Sequence, residues 1–191
     1  MHFLISGIPA SGKSTFCRWL EQKKGFLHLD VEEPGALERH DLATSWQALL
    51  RDGGSASPFL EALEKFKRPV VLDWGFPPKH LPAVRKLFDG EVMLWCFAAD
   101  WAVARRKFVE RGGTKGPVET FDIQIREIEA ALPEINALFR SHVVYALPST
   151  GIYTPPSEIW KSMLDTLAGP NGRRLGAPPL HPHPNPKTAL P

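Results

Sequence analysis

Gly7-Ile8-Pro9-Ala10-Ser11-Gly12-Lys13-Ser14 decides how this chain reads. The stretch fits G-x-x-x-x-G-K-[ST] at every fixed position, and Thr15 follows it. A short apolar run over residues 2–7 (HFLISG) leads in and reads as a strand. Residues 13–24 (KSTFCRWLEQKK) lead out and read as a helix. That helix sets Phe16, Trp19 and Leu20 on one face and ends in lysines before Gly25. Between a strand and a helix, such a loop turns its backbone N–H groups inward around phosphate oxygens. The helix start adds the positive end of its dipole. Gly7 and Gly12 allow the tight path, and Ile8, Pro9, Ala10, Ser11 and Thr15 complete the expected nucleotide-binding set. The pattern places Lys13 on the β- and γ-phosphates of a nucleotide and Ser14 on a magnesium ion.

Working outward, strand-like and helix-like segments alternate. Residues 26–30 (FLHLD), 69–74 (PVVLDW), 92–98 (VMLWCFA) and 142–147 (HVVYAL) read as further strands. Residues 36–51, 58–67, 78–88, 101–111, 119–140 and 156–167 read as helices, the fifth disturbed at Pro133. Five strands that are apolar throughout imply a mainly parallel sheet with helices on both faces. An open α/β sheet binds its ligand at the carboxyl ends of its strands. Residues 7–14, Asp30, Asp73 and the residues that follow it, and Asp100 onward therefore lie where chemistry is expected.

The bulk composition narrows the choice. At 191 residues the chain can bury a sizeable core, so it is no disulfide-held mini-protein. Lys and Arg exceed Asp and Glu by 23 to 21, a net charge of +2, which gives no support to a general nucleic-acid binder. Cys17 and Cys96 are the only cysteines, and neither has a second Cys at metal-ligand spacing. No Ser/His/Asp arrangement or zinc spacing is apparent. No apolar run is long enough to span a bilayer, and Met1 leads straight into strand-like residues without a signal core. The expected compartment is the cytoplasm. Seven of 19 prolines fall in residues 169–191, which read as a disordered, proline-rich tail. His181 and His183 there could bind a metal, but no other ligands lie near them in sequence.

The segment GIPASGKST resembles the phosphate-binding loop of the P-loop kinase superfamily. It looks most like the AAA-type "predicted kinase" families, which are similar to polynucleotide 5′-kinase, zeta toxin and chloramphenicol phosphotransferase. VVLDWGF resembles the third strand of that group, and ARRKFVERGG resembles its LID. The resemblance extends over residues 1–168, with the LID over residues 101–117. It implies a three-layer P-loop NTPase fold with ATP and magnesium as the cofactors. ATP rather than GTP also agrees with the lack of an Asn-Lys-x-Asp stretch.

The resemblance implies roles for further residues. Asp73 ends an apolar run as a Walker B acid does and would help hold magnesium, unless it is a plain strand-end cap. Asp30, seventeen positions after Lys13, would take or orient the proton of the acceptor hydroxyl. Glu32 and Glu33 are alternatives, because Val31 separates them from Asp30. Arg105 would reach the nucleotide, and Arg106 and Arg111 the transferring phosphoryl group, with Lys107 in the same cluster. A solvated basic face is the alternative for each of these. Gly112, Gly113 and Gly116 supply a hinge-like break. Ser149-Thr150-Gly151 would lie near the adenine. Arg39, His40, Trp46 and Arg51, with Lys79 and Arg85, could shape the acceptor pocket, although a tryptophan is more often core.

Two functions fit. The first is an ATP-dependent phosphotransferase that moves the γ-phosphate of MgATP to a hydroxyl, with a small-molecule acceptor preferred over a nucleic-acid end. The second is a nucleotide-binding regulatory ATPase or switch without such an acceptor. The acceptor itself and the oligomeric state are not legible in the sequence.

Overall fold

Alternation of side chains builds the sheet before any helix is considered. Along β1 (His2–Gly7), Phe3 and Ile5 pack on one face of the sheet and Leu4 on the other. Along β4 (Val92–Ala99), Trp95 and Phe97 join the first face, and Leu94 and Cys96 the second. A strand that is apolar on both faces needs a helical layer on each side. The computed structural model supplies both layers. It describes residues 1–51, 53–88, 92–112, 117–140 and 142–168. The tail at residues 169–191, with His181 and His183, lies outside the described residues, as do Gly113 and Gly116 of the expected LID.

The sheet has five parallel strands in the order β2-β3-β1-β4-β5. The other three are β2 (Leu27–Asp30), β3 (Val70–Asp73) and β5 (Val143–Leu147). One face is covered by α1 (Lys13–Lys24) and α8 (Pro156–Ala168), which contribute Phe16, Cys17, Leu20, Ile159 and Met163. The other face is covered by α2 (Ala43–Leu50), α3 (Ser57–Glu64), α4 (Leu81–Phe88), α5 (Trp101–Glu110), α6 (Val118–Ala130) and α7 (Leu132–Phe139). The expected three-layer α/β fold is therefore the observed one.

Three expected helices differ in detail. The helix expected over residues 36–51 is a 3-10 turn, Glu38–His40, followed by α2. Asp41 lies between them at φ +56°, a left-handed value that ends a right-handed helix. The helix expected over residues 78–88 begins as a 3-10 turn, Pro78–His80. The long helix expected over residues 119–140 is two helices that meet at Ala131, with Pro133 in the first turn of the second. Trp46 is core: its ring packs against Trp74 at 4.8 Å and Phe59 at 5.0 Å. No helix among the described residues is long and apolar enough to cross a membrane.

The strand order sets β1 between β3 and β4 and brings the ends of β1, β2 and β3 together. In register, Asp30 stands beside Asp73, and Asp73 beside Ile5. The carboxyl ends of these strands open into a cavity of about 470 Å³. A shallower apolar groove lies at the opposite ends of the strands, against Met1, Phe3, Phe26 and Trp160, and among the described residues no carboxylate lines it.

Candidate active site

The loop that joins β1 to α1 forms one wall of the cavity. Gly7 leaves the strand at φ +137°, and a Cβ there would stand 2.3 Å from the Phe97 carbonyl oxygen of β4. No side chain fits that space, so the first glycine of the motif is fixed by the neighbouring strand. Gly12 caps α1 at φ +94°, in a left-handed conformation. No side chain caps this helix, and its first turn holds no acid. The N–H groups at the start of a helix lack intrahelical partners. Here they face the cavity beside Lys13, an arrangement built for an anion.

Lys13 is held inward. Its Nζ donates to the carbonyl oxygens of Gly7 and Ile8, both at 3.0 Å. Burial pushes the ammonium below its ordinary pKa, and the Asp73 and Glu32 carboxylates oppose that shift. Gly75 leaves the floor open next to it: a Cβ there would stand 3.5 Å from both Lys13 Nζ and Glu32 Oε1.

Asp73 is only 3% exposed. Burial alone would raise its pKa, but His28, Lys13 and Ser14 outweigh that effect and hold the carboxyl below the ordinary range. Asp73 Oδ2 has no hydrogen-bond partner. The Asp73 carboxylate and the Ser14 hydroxyl together form a hard, oxygen-only donor set, which fits magnesium. Asp30 and Glu32 both line the cavity, and Asp30 Oδ1 accepts the backbone N–H of Glu32 at 3.0 Å. Glu33 turns away instead and accepts from Arg39 at 2.7 Å.

The basic cluster on α5 is divided by its partners. Arg105 donates Nε and Nη2 to Asp122 of α6, at 2.8 and 2.9 Å, which holds the Asp122 carboxyl low. Lys107 pairs with Glu110 at 3.1 Å. Arg106 is exposed. Among the described residues that line the cavity, Arg111 is the member of this cluster present, so Arg105 and Arg106 are not brought to the loop. Arg111 donates Nη2 to Tyr153 Oη at 3.3 Å, and Tyr153 Oη donates to the Ala10 carbonyl at 2.9 Å.

Tyr153, Arg18, Thr120 and Gln124 were not legible as site residues. Tyr153 lies 143 positions from its loop partner, two residues beyond the Ser149–Gly151 turn. That nearby turn was the only available signal. Thr120 and Gln124 are four apart on α6, and both line the cavity. Lys79 and Arg85 are exposed and do not line it. Asp100 accepts the Val103 N–H at 3.0 Å and is the cap of α5.

No family model matches the chain, and no curated protein sequence does. Solved structures match it in fold. The shikimate kinase from Bacteroides thetaiotaomicron aligns with a TM-score of 0.51 at 14% identity, over 86% of this chain and 94% of that one. A gluconokinase from Sinorhizobium meliloti aligns with a TM-score of 0.47 at 17% identity, over 85% of this chain and 89% of the other. A shikimate kinase from Aquifex aeolicus gives 0.46 at 20% identity, over 92% and 99%. At these identities the likeness is one of fold: the chain shares the α/β fold of the Bacteroides shikimate kinase.

Proposed function

We propose that the chain is an ATP-dependent phosphotransferase that moves the γ-phosphate of MgATP to a hydroxyl of a small molecule. One observation carries the reading. An uncapped helix start with a half-buried lysine shares a single cavity with Asp30, Glu32, Asp73 and Arg111. The loop N–H groups and Thr15 bind the phosphates, and Lys13 exchanges its two carbonyl partners for phosphate oxygens. Ser14 and Asp73 would hold magnesium, which when bound neutralises charge on the β- and γ-phosphate oxygens. Asp30 orients the acceptor hydroxyl and takes its proton, with Glu32 as the alternative base on the same wall. Arg111 stabilises the charge that spreads over the transferring group. Within the P-loop kinases, our reading sets the chain beside polynucleotide 5′-kinase, zeta toxin and chloramphenicol phosphotransferase, on the strength of VVLDWGF. We assign it to the cytoplasm, where two free cysteines stay reduced.

The test follows labelled γ-phosphate from ATP onto a panel of sugars, amino sugars, aminoglycosides, nucleosides and nucleic-acid 5′ ends. The expected result is label on one small-molecule acceptor, with Asp30→Ala reducing transfer by on the order of 10²- to 10⁴-fold. Unchanged transfer in Asp30→Ala moves the base role to Glu32. Phosphate release without an acceptor, raised by a partner protein, would overturn the transferase in favour of a switch.

A further inference from the structure

Asp73 lines the cavity. It also belongs to a second cluster: a Cys17 sulfur, a His28 ring nitrogen and an Asp73 carboxylate oxygen all lie within 4.8 Å of one another. Cys17 is fully buried and Asp73 is 3% exposed, and the His28 side chain is 11% exposed. The fold brings these three together. Asp73 shares the α1-facing side of β3 with Val71 by alternation. Cys17 stands three positions after Ser14 on α1, and so beneath the same helical face. His28 comes from the adjacent strand β2.

Two of the donor atoms are without hydrogen bonds. His28 Nε2 and Asp73 Oδ2 face each other at 3.6 Å, an ion-pair contact too long for a hydrogen bond, and neither atom has a hydrogen-bond partner among the described residues. Folded proteins rarely leave two buried polar atoms unsatisfied side by side. A cation between them would satisfy both. The donor set is one sulfur, one imidazole nitrogen and one carboxylate oxygen, which suits zinc and not magnesium. With zinc–ligand bonds of about 2.0 to 2.3 Å, tetrahedral ligand atoms stand about 3.3 to 3.6 Å apart. The His28–Asp73 pair already has that spacing. The sulfur would close by about 1.5 Å at most to match it.

We propose that Cys17, His28 and Asp73 form a site for a borderline-soft divalent cation, zinc being the ion its donors fit. Occupancy forms a metal–sulfur bond and releases the thiol proton to solvent. Three protein ligands leave a fourth position for water. An ion there would occupy the carboxylate that faces Ser14 and Lys13, so zinc would weaken magnesium-dependent turnover. That consequence rests on the phosphotransferase reading, whereas the site does not.

Cobalt is the probe, because it reports its ligands by colour. Titration of the full chain with Co²⁺ should give a thiolate charge-transfer band in the near ultraviolet and the visible bands of a tetrahedral ion. Both should saturate at one ion per chain and disappear on addition of Zn²⁺. Cys17→Ala should abolish the charge-transfer band, and Cys96→Ala, which changes the other thiol, should keep it. His28→Gln should weaken Co²⁺ binding at least tenfold, and it carries the test if Cys17→Ala does not fold. Zn²⁺ should raise the Tm of the unaltered chain and leave that of Cys17→Ala where it is. Absence of the band, or its survival in Cys17→Ala, overturns the site. Neither result depends on any phosphotransfer activity.

Discussion

Two neighbouring strands run into helices in this molecule, and the two junctions are built differently. β4 ends at α5, where Asp100 sits in an extended conformation and its carboxylate accepts the Val103 N–H at 3.0 Å. That start is satisfied by the chain itself, by an N-cap of the ordinary kind. β1, hydrogen-bonded beside it, ends at α1, where Gly12 offers no side chain. The same backbone need exists at both places. At α5 a carboxylate meets it permanently. At α1 a left-handed glycine leaves it open, and a buried ammonium adds positive charge. A helix start becomes a ligand site when the fold withholds the cap, and the cost is a cation held out of water.

Removing that cation breaks the comparison most severely. Lys13→Met should lower ATP-dependent turnover by about 10²- to 10³-fold, as loss of a positioned charge-stabilising donor does. The same variant should melt at a higher temperature than the unaltered chain. Burial holds the Lys13 ammonium below its ordinary pKa, so the unfolded chain binds that proton more tightly. The charged lysine therefore costs stability at neutral pH, and the cost fades as pH rises through the lowered folded-state value towards that of a free lysine. Thermal melts at neutral and alkaline pH check this: the gap between variant and unaltered chain should narrow as pH rises. A lower Tm in Lys13→Met would show that the bonds to Gly7 and Ile8 outweigh the burial.

The α5 arginines give the next largest effect. Arg111→Met should lower turnover by about 10- to 100-fold, because Arg111, the residue that closes the end of α5, lies on the cavity wall. Arg105→Met should leave turnover within about threefold, since its exposed guanidinium is committed to Asp122. Steady-state kinetics of the pair decides the point, and equal losses would mean that α5 moves when the nucleotide binds.

This pair also marks how far the sequence could be read. The loop was legible because its eight residues are contiguous, and each acts through backbone geometry that neighbours in the chain dictate. The strand-end acids were legible because a parallel sheet gathers its carboxyl ends. Which arginine faces the cavity was not, because it depends on Asp122 and Tyr153, and both lie far along the chain from the arginines they bind. Asp100 was legible as a strand-end acid but not as a cap, since both roles use the same residue type in the same place. The cluster of Cys17, His28 and Asp73 follows no spacing rule, because three separate elements supply it.

The smallest effect tests the satisfied junction. Asp100→Ala removes the acceptor of the Val103 N–H, at a helix start that is partly buried. The expected loss is about 1 kcal/mol of unfolding free energy, typical of an N-cap deletion. Asp100 is not among the cavity-lining residues, so nucleotide affinity should not change. Denaturant melts and nucleotide titration on the same preparation separate the two quantities. If affinity fell with stability, the α5 start would contribute to the site, and the two junctions would not divide cap from ligand. A stability loss alone leaves that division intact: the helix that carries its own carboxylate serves the fold, and the helix beside it, lacking one, leaves its start open to the cavity.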